Sequence, residues 1–125
     1  MLRVRVETPC HPTEDPEKVI GALRTLFPDL AVERRDRLIL GTTERLDRLR
    51  ERIRDQRIRD TARRQLLAGR TADRTTIRLS KQAASRGVVN FAAGSPLGDV
   101  LVEIESDDVS KVIDEVAEST VDRPA

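Results

Sequence analysis

Apolar residues recur at every second position at the start of the chain, where Leu2, Val4 and Val6 alternate with Arg3, Arg5 and Glu7. That period predicts a half-buried strand, ended by Pro9. The period then changes. Val19, Ile20, Leu23, Leu26 and Phe27 share one face of a helix, with Asp15 placed to cap it and Pro28 to stop it. Pro16 takes the first helical position, where a missing N–H costs nothing. Residues 30–40 read as a strand pair folded about a polar turn at 34–37 and closed by Gly41.

The longest helical pattern covers 43–69, with Thr43 as cap and Gly69 as stop. Leu46, Leu49 and Ile53 share a face, and Ile58, Ala62 and Leu66 repeat every four residues. The step of five from Ile53 to Ile58 turns the apolar stripe by about 140°, so the helix bends near Gln56 or meets two partners. After a polar turn, 75–79 reads as a strand, and 88–91 and 100–104 as two more around a Gly94-Ser95-Pro96 turn. A last helix from Ser106 carries Val109, Val112, Ile113, Val116 and Ala117 on one face, with Asp107 and Asp108 in a first turn that favours negative charge. A loose tail is expected from Thr120. Strands and helices without regular alternation predict a single-domain α+β fold over 1–125 with a largely antiparallel sheet.

Charge changes this picture more than composition does. Residues 1–98 hold 21 Lys and Arg against 13 Asp and Glu, a net of +8, whereas 99–125 hold 2 against 9, a net of −7. Only Lys18, Lys81 and Lys111 are lysines, so the remaining 20 of the 23 basic residues are arginines, whose planar fork suits phosphate and base contacts. Genomic base composition produces the same bias. On a helical wheel Arg45, Arg48, Arg52, Arg59 and Arg63 form a stripe about 27 Å long at 1.5 Å per residue, able to track a phosphate backbone. Glu44, Asp47, Glu51 and Asp55 run alongside, so a solvated, self-paired face is the competing reading.

The stretch LSKQAASRGVVNF at 79–91 interrupts the charged pattern. Ser80 is placed to cap a short helix that Gly87 stops. The first amides of that helix would face an anion, Lys81 would add a full charge, and Gln82 could reach a ribose hydroxyl or a base edge. In the plainer account Ser80 caps, Ala83 and Ala84 pack beneath the sheet, and Lys81 and Gln82 face water.

Other chemistry finds little support. Cys10 and His11 are the sole cysteine and histidine, too few for a zinc site or a nucleophile–imidazole pair, so neither metal nor catalytic residues are expected, nor any cofactor. AAGSPLG lacks the Lys-Ser/Thr ending of a phosphate-binding loop, and two phenylalanines are too few for serial base stacking. No apolar run approaches a membrane span, and the N-terminus lacks a secretory pattern, so a cytoplasmic location is expected.

Three stretches together carry a family resemblance: PTEDPEKVIGALRTLFPD at 12–29, LRERIRDQRIRDTARRQLL at 49–67, and LSKQAASRGVVNF with the following SPLGDVLVEI at 95–104. In that order they resemble a family of small archaeal proteins, uncharacterised protein family 0201, expected to bind RNA. The family commonly has Asn before Lys-Gln where this chain has Ser80, and both types cap helices. The resemblance implies helices on one face of an antiparallel sheet, as in the large-subunit ribosomal protein that binds the smallest ribosomal RNA. It brings no catalytic residues. RNA, ribosomal or otherwise structured, is the expected partner, held by the arginine stripe with Lys81 and Gln82. The alternative is a homodimeric interaction module, in which a sheet edge or the basic surface meets an acidic surface such as the C-terminal helix of a second copy.

Overall fold

The computed structural model describes residues 1–91, 94 and 98–119. Strand β1 (Leu2–Pro9) buries Val4, Val6 and Thr8 and turns Arg3 and Arg5 outward, as its alternation requires. Helix α1 (Pro16–Leu26) is capped by Asp15, whose carboxylate accepts from the Glu17 amide at 3.0 Å, and buries Val19, Ile20, Leu23 and Leu26. Strands β2 (Ala31–Arg35) and β3 (Leu38–Thr43) form a hairpin about Asp36 and Arg37, with Asp36 at φ +52°. Gly41 does not close the hairpin. It lies inside β3, where the Leu30 side chain fills the space a Cβ would take.

The long helical pattern is two helices, α2 (Asp47–Asp55) and α3 (Arg59–Ala68), joined at an elbow where Arg57 adopts φ +58°. The five-residue step decides this: the Ile58 amide bonds back to the Ile53 carbonyl at 3.1 Å, and the turn lets Leu49, Ile53, Ala62 and Leu66 all reach the core. Thr43 is no cap. It ends β3, and α2 begins after Leu46 without a side-chain cap. Strand β4 (Arg74–Ser80) leads into a single turn, α4 (Lys81–Ala84), followed by Gly87 at φ +72°.

The strand expected at 88–91 does not form. The Gln56 side chain takes both backbone groups of Val89, donating to its carbonyl at 2.9 Å and accepting from its amide at 2.8 Å. A ladder partner is thereby replaced, and the Asn90 carbonyl accepts from the Ser80 amide of β4 at 2.8 Å. Strand β5 (Asp99–Ser106) and helix α5 (Val109–Val116) complete the described chain. Ser106 ends the strand, and the helix is capped by Asp108, which accepts from the Lys111 amide at 3.1 Å. Ser95 and Pro96 of the expected turn, and the tail from Thr120, lie outside the described residues.

The fold is α+β. The five strands lie in the order β2-β3-β1-β5-β4, every neighbouring pair antiparallel. The helices bury Val4, Val6, Ile39, Ile77, Leu79, Val102 and Ile104 beneath them on one face of the sheet. The other face carries Arg3, Arg5, Leu40, Leu101, Glu103 and Glu105. The register defines two poles. At one, Pro9 lies opposite Leu38 and Ser80 opposite Asp99; at the other, Leu2 lies opposite Ser106 and Arg74 opposite Glu105. No helix among the described residues is long and apolar enough to cross a membrane.

Two glycines give opposite expectations. A Cβ at Gly69 would overlap the Thr76 carbonyl oxygen, whereas one at Gly21, on the exposed side of α1, meets nothing within 4 Å. Gly69→Ala is therefore expected to cost about 2 kcal/mol, and Gly21→Ala to stabilise by about 0.5–1 kcal/mol. Urea denaturation midpoints check both signs.

Candidate nucleic-acid interface

Ser80 sits where β4 meets α4, and its Oγ accepts from the Ala83 amide at 3.2 Å. That amide is thus taken within the chain. Lys81 is only 5% exposed. Its ammonium donates to the Pro9 carbonyl at 2.7 Å and to both oxygens of Glu14, at 2.9 and 3.1 Å. Neither account of Lys81 in the sequence, as a phosphate contact or as a solvated side chain, describes this buried pair. The cation joins the end of β1, the start of α1 and the start of α4. Gln82, one residue on, is exposed.

The five arginines of the expected stripe are not brought together. Arg45 precedes α2 and pairs with Asp47 at 2.7 Å and Asp29 at 3.7 Å; the Asp47 hydrogen bond and charge, then Asp29, raise its pKa above the ordinary value. Arg48 pairs with Glu51 at 3.7 Å. Arg52 lies against Gly87 with its Nε buried and without a hydrogen-bond partner among the described residues. Arg63 meets Asp114 on the acidic helix α5 at 2.7 Å, and Arg59 meets Glu118 just beyond its end at 2.8 Å. The elbow breaks the wheel on which the stripe was drawn, and nearby carboxylates absorb most of its charge.

Arginines without ion pairs gather elsewhere. Among the described residues, Arg34 and Arg37 at the β2–β3 hairpin, Arg54 and Arg57 at the elbow, and Arg86 after α4 are exposed and form no ion pair. All five belong to the Pro9 pole: Leu38 next to the hairpin tip lies opposite Pro9, Lys81 bonds Pro9, and Gln56 of the elbow grips Val89 just beyond α4. Arg54, Arg57 and Arg59 line a cleft of about 380 Å³ with Asp60. At the opposite pole three cations are engaged, while Lys111 on α5 forms no ion pair among the described residues. Arg74 meets Asp73, Glu103 and Glu105, Arg70 donates to Ser110, and the N-terminal ammonium meets Asp107. Among the described residues Arg24 on α1, Arg50 and Arg64 on the solvent sides of α2 and α3, and Arg78 on β4 are also exposed and free of ion pairs. Sequence reasoning missed the elbow residues because an unbroken wheel puts them off the stripe; the Ile53-to-Ile58 step was their signal.

The geometry defines an α+β domain in which a hairpin, a helix elbow and a capped turn present exposed arginines without ion pairs, among acids such as Asp36 and Asp60, toward one end of the sheet. A family model described as RNA binding matches residues 3–106, and the chain belongs to that RNA-binding family, alongside the archaeal UPF0201 proteins. A UPF0201 protein of Methanothermobacter thermautotrophicus is 43% identical, over 94% of this chain and 92% of that relative. A UPF0200/UPF0201 protein of Archaeoglobus fulgidus is 37% identical over 97% of this chain, which spans 39% of that longer relative. The crystal structure of another UPF0201 protein superposes with a TM-score of 0.89 at 36% identity, covering 98% of this chain and 99% of the other.

The Lys81–Glu14 pair has a stability signature. Burial raises the Glu14 pKa, but the His11 amide and the Lys81 ammonium, through hydrogen bond and charge, together outweigh it and hold the carboxyl below its ordinary value. A depressed folded value means that the pair stabilises the protein above the ordinary glutamate range and loses that contribution as pH falls through the folded pKa. Lys81→Met should cost about 3 kcal/mol at neutral pH by leaving a largely buried carboxylate with the His11 amide but no cation. The deficit should shrink as pH falls below the ordinary glutamate range and Glu14 takes up a proton, and adding Glu14→Gln should restore most of the loss. Urea midpoints of the three proteins across pH check this.

Proposed function

We propose that the protein is a non-enzymatic RNA-binding domain that holds the phosphate backbone of a structured RNA at the Pro9 pole. The observation that carries this reading is the gathering there of Arg34, Arg37, Arg54, Arg57 and Arg86, exposed and without ion pairs among the described residues. Guanidiniums already matched to carboxylates release few counterions on meeting a polyanion, whereas unmatched ones replace condensed cations directly. Arg52 takes part from the flank of the elbow cleft, while Gln82 on α4 stands outside the phosphate-binding set and offers its amide to a base edge. Arg45, Arg48, Arg59 and Arg63, each matched to a carboxylate, lend general positive charge, and Lys81 positions Gln82 from below. Recognition is by shape and backbone. The likeness to a ribosomal protein that the family resemblance implies belongs to this proposal and favours structured RNA.

A second reading, the homodimer, draws on the sheet face opposite the helices. There Arg3 and Arg5 on β1 and Arg74 on β4 flank Glu103 and Glu105 on β5, beside half-buried Leu40 and Leu101. Rows of alternating sign can complement a second copy. Sedimentation equilibrium with Leu101→Arg tests it: a dimer that the substitution disperses supports this reading, and a monomeric wild type ends it.

For RNA, fluorescence anisotropy with a labelled hairpin is the direct test. Affinity should fall at least tenfold between about 50 and 200 mM salt. Arg54→Ala with Arg57→Ala should weaken unrelated hairpins alike and flatten the log–log salt slope by about 2, while Arg45→Ala leaves both nearly unchanged. Salt-independent affinity, or an equal loss from Arg45→Ala, contradicts the proposal.

A further inference from the structure

A second cavity lies at the same pole, between α1 and α4. It measures about 370 Å³, near the lower end of the roughly 300–1,000 Å³ that small-ligand pockets span. Its chemistry differs from that of the elbow cleft. The charged side chains around it are Lys18 and Lys81 against Glu14 and Asp15, so the formal charges cancel. Lys81 and Glu14 are already locked to each other. Val19 and Ala22 of α1 supply an apolar wall. Three polar groups remain open: the Thr13 hydroxyl, the Lys18 ammonium and the Gln82 amide make no side-chain hydrogen bond among the described residues. A doubly charged phosphate has no net attraction to such a site. A neutral, flat group with hydrogen-bonding edges does fit, because the apolar wall takes its face and the open donors and acceptors take its rim.

We infer that this cavity receives one unstacked adenine of the RNA held at the neighbouring arginines. The inference rests on the RNA-binding reading and adds base selection to it. RNA offers sequence chiefly through bases splayed from loops and bulges, and phosphate contacts alone carry no sequence information. Gln82 supplies the adjacent donor and acceptor that match the N6 amino group and N7 of adenine, a pairing that guanine, with two acceptors on that edge, does not satisfy. The Lys18 ammonium can reach a ribose hydroxyl, a bond that needs no fixed direction. The floor is rigid because the Lys81 ammonium ties Glu14, Pro9 and the first residue of α4 together, and Thr25 on α1 donates to the Ala84 carbonyl at the other end of the helix pair. A pocket held on both sides before the ligand arrives loses little entropy on binding.

The test uses one RNA hairpin with a single unpaired position occupied by adenine, uracil or an abasic linker, or omitted to give a fully paired stem. Affinities are measured by anisotropy for the full chain and for Gln82→Ala, an exposed substitution that leaves the Lys81–Glu14 pair in place. Adenine should bind about tenfold more tightly than the abasic linker. Gln82→Ala should remove that preference without altering affinity for the paired stem or its dependence on salt. Equal affinity for all four RNAs, with salt dependence retained, overturns the adenine pocket and leaves backbone binding standing. No binding to any of them overturns both. A parallel titration with adenosine 5′-monophosphate separates the sources of the base. Binding of the free nucleotide that Gln82→Ala abolishes, with no adenine preference in the hairpin, assigns the cavity to a metabolite and overturns the RNA assignment.

Discussion

The central strand β1 is hydrogen-bonded on both edges, and its two registers constrain everything around it. With Val4 opposite both Thr43 and Ile104, one parity of residues on three strands points to the helices and the other to the opposite face. A slip of one residue would exchange Val4 and Val6 for Arg3 and Arg5 in the core. The same registers fix which connections share an end of the sheet. The β2–β3 turn, the start of α1 and the single turn of α4 meet at Pro9, and the helix elbow reaches them through the Gln56–Val89 bridge. Segments more than 40 residues apart in sequence therefore form one surface.

What that surface can do follows from a competition for arginine. The chain carries nearly as many carboxylates as basic groups, 22 against 23, so an arginine is available to a ligand only where the fold keeps acids away. Around Leu2 and α5 it does not: Arg45, Arg59, Arg63 and Arg74 spend hydrogen bonds on Asp and Glu. Such exposed pairs add little stability individually, but they remove those guanidiniums from the supply. At the Pro9 pole the one acid most deeply placed, Glu14, is matched to Lys81 beneath the surface, so it cancels no exposed arginine. Overall charge, +1, says nothing of this partition.

Strand alternation and helical faces were readable in the sequence wherever one period ran uninterrupted, as in β1, α1, β5 and α5. The caps at Asp15 and Ser80 are local chemistry and were equally visible. What was hidden depended on partners distant in sequence. The break at Arg57 was marked by the five-residue step, yet whether it meant a bend or two neighbours depended on Gln56 finding Val89. The same side chain turned an apolar, strand-like stretch into a loop. Lys81 reads as solvent-facing beside a polar neighbour because nothing local shows that Glu14 waits under it. The wheel that grouped Arg45 with Arg63 assumed a helix that does not run straight.

Photo-crosslinking with 4-thiouridine-substituted hairpin RNA, followed by peptide mass spectrometry, measures directly where bound RNA lies on the protein. Crosslinked peptides spanning 34–37, 54–59 and 82–86 are expected, competed away by unlabelled RNA and by added salt. Crosslinks concentrated instead on the opposite sheet face, at 3–7 and 101–105, or around Arg45 and Arg48, would contradict binding at the Pro9 pole.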